Sequence, residues 1–333
     1  MSGPQAQFSR GLPMRHRIGG IFELACLLCT WFGLVVLAVL LVGVLWQSAG
    51  WLNWKFISSY DSFVPEQAGI LAGLWGSLWL ILLTALFSVP IGTGAAIYLE
   101  EYASENWLTR LIRVNLSNLA GVPSVVYGIL GLTVFVRMFD LYRPAEKIIE
   151  VSLGVATLEI PLALGKTVIA GALTLSLLIL PVVIIATQEA LRAIPPSIRH
   201  AAYALGATRW QTIRHQVLPA ALPGITTGII LSLSRAMGET APIMMIGALT
   251  WISATPGGIE HVSDVFGQPS ALLEAPFDSF TAMPILVYNW VSDSKPGYQH
   301  VAAAGIVVLL VVLLLVNALA TFIRHRFQTK LRW

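Results

Sequence analysis

Residues 301–323 read VAAAGIVVLLVVLLLVNALATFI, an apolar stretch in which no side chain carries a formal charge. A bilayer hydrocarbon core of roughly 30 Å is crossed by about 20 apolar residues in helical form, since lipid offers no partner to an open backbone N–H or C=O. Working back toward the N-terminus, five more stretches qualify: 217–249, 168–187, 114–139, 70–99 and 18–46. Pro90, Pro123 and Pro181 fall inside three of them, where neighbouring helices satisfy the freed carbonyls. The sequence therefore predicts an all-α integral membrane protein with six transmembrane helices. Composition agrees, because 56% of the 333 residues are hydrophobic and only 11% charged. Soluble domains carry roughly 25% charged residues, so lipid must be the solvent for much of this chain. A net charge of +3 gives no support to nucleic-acid binding.

Basic residues set the orientation, because they accumulate on the cytoplasmic side. With the N-terminus inside, the inner segments hold thirteen Lys and Arg (Arg10, Arg15 and Arg17 at the start, Lys330 and Arg332 at the end). The outer segments hold six, and Arg235 lies within the fifth helix. Both termini are expected to be cytoplasmic, with tails 1–17 and 324–333 flanking a transmembrane domain over 18–323. The first apolar run is too long for a signal-peptide core and reads as a retained helix. Trp46, Trp51, Trp54 and Trp290 are expected in an aromatic belt at the outer boundary. Cys26 and Cys29 have redox-like spacing, but they sit in an apolar run with no second pair or His, and read as small apolar residues.

Three outer segments are long enough to fold: 47–69, expected along the membrane surface, 140–167 and 250–300. Within the second, Ile149–Leu153 and Thr157–Leu162 flank Gly154 as the two arms of a short hairpin.

The inner segment 189–218 exceeds the usual connection between helices. Ile198, Ala201, Ala202 and Leu205 form one apolar stripe; Trp210, Ile213 and Val217 form another. Gly206 between them suits a left-handed turn, and Ser197 suits the N-cap of the first helix. A basic helix–turn–helix with an apolar face, projecting from a membrane protein, fits a groove on a soluble partner.

Ser234-Arg-Ala-Met-Gly-Glu-Thr-Ala-Pro-Ile243 places charge inside the fifth helix. Arg235 and Glu239 are four residues apart and share a face. Arg235 lies roughly 24 Å beyond Pro219 at 1.5 Å per residue, deep in the membrane. Such residues cost several kcal/mol and mark ion or substrate pathways; a packing pair would be replaced more cheaply by apolar residues. An Arg fork donates two parallel hydrogen bonds to an oxyanion. Gly238 admits a close approach of backbone or substrate, and Gly224 and Gly228 suit close packing of helices at an interface between two membrane-spanning halves.

These residues resemble a known family. Ala201-Ala-x-x-x-Gly206 followed by Leu218-Pro219 is similar to the EAA loop of binding-protein-dependent ABC permeases. Ser234-Arg-Ala-x-Gly-Glu-Thr-Ala-Pro242 resembles the fifth-helix signature of the phosphate-specific (Pst) permeases, as do Gly121-Val-Pro-Ser-Val-Val-Tyr-Gly128, the run 173–181 and the run 187–195. Asn53-Trp-x-Phe56, Pro65-Glu-Gln-Ala-Gly-Ile70 and Met283-Pro-Ile-x-Val-Tyr-Asn289 are most similar to the PstA type. The resemblance covers residues 18–323. It implies the MetI-like fold of type I ABC importers with a cytoplasmic coupling helix. It further implies that Ala201, Ala202, Gly206 and the adjoining Glu189, Arg199, His200 and Ala207 face an ATPase, and that Arg235, Glu239 and Thr240 line a phosphate pathway. The implied partners are a sister permease in a heterodimer, two copies of an ATP-binding subunit and an extracytoplasmic phosphate-binding protein. The implied location is a bacterial inner membrane. ATP and Mg would be bound by the partner ATPase, with no cofactor or metal in this chain. His200 stands where the family usually has Glu, and residues 142–166 look like an insertion.

Competing readings have less support. A permease for molybdate, sulfate or phosphonate has no use for the Gly-Glu-Thr-Ala-Pro run. An ion-driven carrier has no ATPase for the inner unit to engage. A membrane enzyme lacks its motifs: the histidines are scattered, and neither His-Glu-x-x-His nor Gly-x-Ser-x-Gly occurs. Gly165-Lys-Thr167 imitates the end of a P-loop, but Ile160 stands where the first Gly belongs.

Overall fold

The computed structural model describes residues 12–138, 148–152, 157–161, 165–250, 252–258, 272 and 274–328. The described residues fold mainly into helices. In order they are α1 (Leu12–Ser48), α2 (Trp54–Ser58), α3 (Leu71–Ile97), α4 (Trp107–Ala120), α5 (Ser124–Gly131), α6 (Val168–Arg192), α7 (Pro196–Ala204), α8 (Arg209–Thr212), α9 (Leu218–Gly238), α10 (Ala241–Ile246), α11 (Met283–Ser292) and α12 (Gly297–Gln328). π-helical turns extend α3 over Tyr98–Tyr102 and α5 over Leu132–Met138, and join α8 to α9 over Ile213–Val217. β1 (Ile148–Ser152) pairs antiparallel with β2 (Thr157–Pro161), Glu150 opposite Glu159, so the arms of the expected hairpin pair, while Leu153, Gly154 and Leu162 lie outside the described residues.

Among the described residues five helices are long and apolar enough to cross a membrane: Arg15–Ser48, Leu71–Tyr102, Val168–Arg192, Arg209–Gly238 and Gly297–Phe322. The third expected span is not one straight helix. Helix α4 and the α5 segment meet at 103° around Gly121-Val-Pro123, and count as a sixth span only if the bent pair is taken as one. Pro123 occupies the N-cap of α5, and Tyr127 Oη donates to Leu119 O at 2.8 Å across the bend. The proline has no N–H to continue the helix, and the tyrosine adds a second donor to the Leu119 carbonyl, which also accepts from Val122 N–H at 3.1 Å.

Helices α3 and α6 form the centre. Leu80, Leu175, Ile179, Phe280 and Ile285 are buried between them and the α11 region. Two serine hydroxyls on these helices are satisfied within the bundle: Ser88 Oγ donates to Thr84 O at 2.6 Å and Ser176 Oγ to Ala172 O at 2.7 Å. A second cluster at one end of the bundle joins Phe56, Ile70, Met283, Leu286, Trp290 and Val301. The segment 47–69 is therefore packed into the fold through Phe56 and does not simply lie along a surface. Trp46 and Trp54 are exposed as a belt requires, and Trp51 stacks on His300, but Trp290 is buried and donates to Asp61 Oδ1 at 3.0 Å. Cys26 and Cys29 are free and exposed on α1. At the opposite end, Leu191, Val217, Ala221 and Ile225 close a small cluster where α6 meets α9.

Candidate functional site

Helix α9 stops at Gly238, short of the expected end at Leu249. Glu239 leaves the helical region (φ −78°, ψ 116°), and α10 begins one residue later behind Thr240, with Pro242 in its first turn. Gly247 then ends α10 in the left-handed region (φ 89°). A methyl on Gly128 of α5 would lie 2.6 Å from Pro242 Cα, so α10 is pressed onto α5 through that glycine. The apolar sequence across 241–249 conceals this break, because hydropathy reports burial in lipid and not backbone continuity.

Arg235 and Glu239 flank the break. Arg235 Nε donates to Glu239 Oε1 at 3.3 Å; the arginine side chain is 52% exposed and the glutamate 17%. Leu231 and Gly238 are exposed beside Arg235, and a methyl on Gly238 would meet nothing within 4 Å. One face of α9 thus turns away from the bundle and presents a guanidinium in a membrane-spanning helix. A pair kept only for packing would be enclosed.

The other side of α9 is fixed. Ser234 Oγ donates to Asn317 Oδ1 of α12, and Arg324 Nη1 donates to Thr227 Oγ1 at 2.6 Å. These rungs lie one heptad apart on both antiparallel helices and set their register. Gly224 and Gly228 face α6: methyls built on them would come within 2.8 Å of Ala190 Cβ and 2.5 Å of Ala186 Cβ. The expected contact between permease halves at these glycines is corrected to packing inside the chain. With no hydrophobic drive between helices in lipid, close approach at small residues supplies the contact.

Residues 189–218 fold as the expected helix–turn–helix. Gly206 takes φ +83° between α7 and α8, and α8 opens with a capping box in which Thr208 and Gln211 satisfy each other's backbone N–H. Ser197 does not cap α7; Pro195 holds that position and Pro196 starts the helix, leaving Ser197 in the first turn. Pro at the start suits a helix whose first N–H groups are open in any case. Ile198, Ala201, Ala202 and Leu205 line an apolar groove of about 310 Å³ with Gln216 and Ala220, and Leu205 is 90% exposed. Of the second stripe, Ile213 and Val217 are buried while Trp210 is exposed. Ala201 and His200 are exposed and Ala207 is half-buried.

Arg199 is engaged within the chain. Its Nη2 donates to Glu101 Oε1 at 2.6 Å and to Leu191 O at 3.0 Å, and its Nη1 donates to Ile194 O at 2.9 Å. Glu101 is only 6% exposed. Removing one partner of such a buried pair costs about 3–5 kcal/mol, because the other charge is stranded. Next to it, Glu100 Oε1 accepts from Arg192 Nε at 2.9 Å, and Arg113 Nη2 donates to Leu99 O at 2.9 Å. Glu189 pairs with Arg192 at 3.2 Å and is otherwise exposed. Glu100 and Glu101 were not singled out by sequence reasoning. The available signal was two adjacent acids at the end of an apolar span, facing inner segments whose arginines need counter-charges.

Comparison with known proteins places this architecture. Residues 88–332 match the family model for the binding-protein-dependent transport system inner membrane component. The chain is 33% identical to phosphate transport system permease protein PstA 1 of Mycobacterium tuberculosis (strain ATCC 25618 / H37Rv), over 87% of this chain and 83% of that one. It is 29% identical to the probable ABC transporter permease protein YqgI of Bacillus subtilis (strain 168), over 90% of this chain and 95% of that one. Its fold matches a chain of a bacterial ABC transporter involved in the import of the acidic polysaccharide alginate, with a TM-score of 0.57 and 18% identity over 96% of this chain and 99% of the other. The chain belongs to the family of binding-protein-dependent transport system inner membrane components, as a multi-pass permease subunit of an ABC importer and not an enzyme.

Proposed function

We propose that this permease moves inorganic phosphate inward across a bacterial inner membrane, with both termini cytoplasmic. In this reading it works beside a sister permease, receives phosphate from an extracytoplasmic binding protein and couples to two copies of an ATPase subunit that binds ATP and Mg. The observation that carries it is the guanidinium of Arg235, half-exposed on the outward face of α9 where the helix breaks. The PstA relatives support phosphate as the anion. Arg235 supplies the attraction, Thr240 a hydroxyl at the break, and Glu239 the discrimination. Inorganic phosphate keeps at least one proton near neutral pH and can donate to a carboxylate; sulfate has none and is repelled.

The exposed stripe of α7 docks the ATPase. Leu205 and Ala201 are its apolar contacts, Ala202 and Ala207 shape its flank, and Glu189 and His200 are the polar groups at its edge. Arg199 holds it in place.

The test is ATP hydrolysis by the reconstituted complex with its binding protein, phosphate and sulfate in parallel. Wild type should respond to phosphate alone, and Arg235→Ala should lose about tenfold or more of the stimulation while the complex stays assembled. An unchanged response in the variant returns the pair to packing, and a response to a different anion moves the substrate.

A further inference from the structure

Of the two adjacent acids in the turn that extends α3, Glu101 holds α7 against the rest of the chain. We infer that Glu101, through Arg199, is the positioning residue that transmits displacement of α7 to α3, giving the ATPase a second route into the membrane beside the covalent one through α8 to α9. This rests on the reading that α7 docks an ATPase.

The covalent route is compliant at its start. It passes through Gly206, whose left-handed conformation is a single-residue turn, and through the one-turn helix α8. The route through Glu101 is short and rigid. Arg199 grips both Glu101 oxygens, with Nε at 3.2 and 3.3 Å and Nη2 at 2.6 Å, and at the same time holds the carbonyls of Leu191 and Ile194 at the end of α6. A planar fork with this many bonds has no second orientation, so α7 cannot move without carrying the carboxylate.

The carboxylate sits on a π-helical turn, closed by Ala103 N–H to Tyr98 O at 2.8 Å. Adjacent acids in that turn reach different helices: Glu101 takes α7, while Glu100 takes Arg192 at the end of α6 and lies 3.8 Å from Arg113 of α4. Arg209 of α8 lies 5.4 Å over the ring of Tyr102, the last residue of the same turn. From there α3 runs the length of the bundle. At its far end Ser77 Oγ accepts from Met283 N–H at 2.9 Å, and a methyl on Gly73 would strike Leu286 Cδ1 at 2.6 Å. Helix α3 therefore links α7 at one end to α11 at the other, and on the way it packs against the Arg235 helix, where Leu80 and Ala236 share one buried cluster.

The test uses the full complex in proteoliposomes and reads phosphate uptake and ATP hydrolysis together. Glu101→Gln should keep the ATPase subunit bound and hydrolysing, while phosphate moved per ATP falls about tenfold. The reciprocal exchange Glu101→Arg with Arg199→Glu should restore much of the ratio. If Glu101→Gln fails to assemble, Glu101→Asp keeps the charge with a shorter reach and should show the same split in weaker form. A wild-type ratio in the assembled variant overturns the inference, as does a parallel loss of hydrolysis and uptake. A wild-type chain that retains no ATPase overturns the docking reading itself and this inference with it, an outcome distinct from both.

Discussion

Gly228→Ala tests the packing of the pathway helix directly. A methyl at that position would lie 2.5 Å from Ala186 Cβ. Carbon atoms rest about 3.5–4.0 Å apart, so the shortfall is roughly 1–1.5 Å. Helices α6 and α9 cannot relieve it by sliding, because Gly224 meets Ala190 at 2.8 Å one turn away. Overpacking of this kind costs about 1–3 kcal/mol. Replacing a helical glycine by alanine returns about 1 kcal/mol of helix propensity, and a second glycine cancels that gain from the comparison. A methyl on Gly94 of α3 would meet nothing within 4 Å, so Gly94→Ala carries the propensity change alone. The expected result in mixed-micelle unfolding is that Gly228→Ala is about 1–3 kcal/mol less stable than Gly94→Ala. Ala186→Gly alone should cost about 1 kcal/mol of helix propensity, and it should cost less, or stabilise, when added to Gly228→Ala, because it opens the clash. Equal stability of the two alanine variants, or the same cost of Ala186→Gly in both backgrounds, would refute the α6–α9 contact.

Two further outcomes are expected. A double-mutant cycle over Ser234→Ala and Asn317→Ala should show coupling of about 0.6–1.7 kcal/mol, the range for interhelical hydrogen bonds in a membrane, and a near-zero value would mean that α9 and α12 are held by packing alone. Asp61, outside the spanning helices, has its carboxyl pushed above its usual value of 3.8 by burial, against the lowering effect of the Trp290 and Ser62 hydrogen bonds. The folded state then binds the proton more tightly than the unfolded one. Asp61 should make the protein lose stability as pH rises from about 3.8 through its raised folded value, and Asp61→Asn should flatten that slope in a pH series of unfolding midpoints.

Much of the membrane architecture was legible, because the cost of open backbone groups in lipid forces long apolar runs into helices. The inner helix–turn–helix was legible for the same local reasons: stripes at helical spacing and a glycine where φ must be positive. What escaped were features set by contacts across the chain. The bend at Gly121–Pro123 lies in an apolar run that reads as one span, and its angle is held by Tyr127 reaching back to Leu119. The end of α9 at Gly238 is hidden by apolar residues on both sides. Trp290 looked like a belt residue, but its indole N–H has a buried partner, Asp61, far away in sequence. Gly224 and Gly228 announced close packing without naming the partner. At the candidate site, Arg235 and Glu239 were visible because charge is rare in such a helix, whereas Glu101 needed Arg199 beside it to acquire meaning.

Helix α1 packs within the chain against α12, and its apolar stretch is otherwise uncovered. Helix α1 therefore leaves the ribosome well before the helix it packs against. Synthesis from Ser48 to Gly297 takes on the order of 10–50 s at ~5–20 residues per second, and through that interval α1 must persist as a lone helix in lipid. Its length and unbroken apolarity are then requirements of biogenesis as much as of the finished fold. A chain truncated before α12 would leave an inserted, correctly formed helix with nothing to close against, a natural mark for membrane quality control.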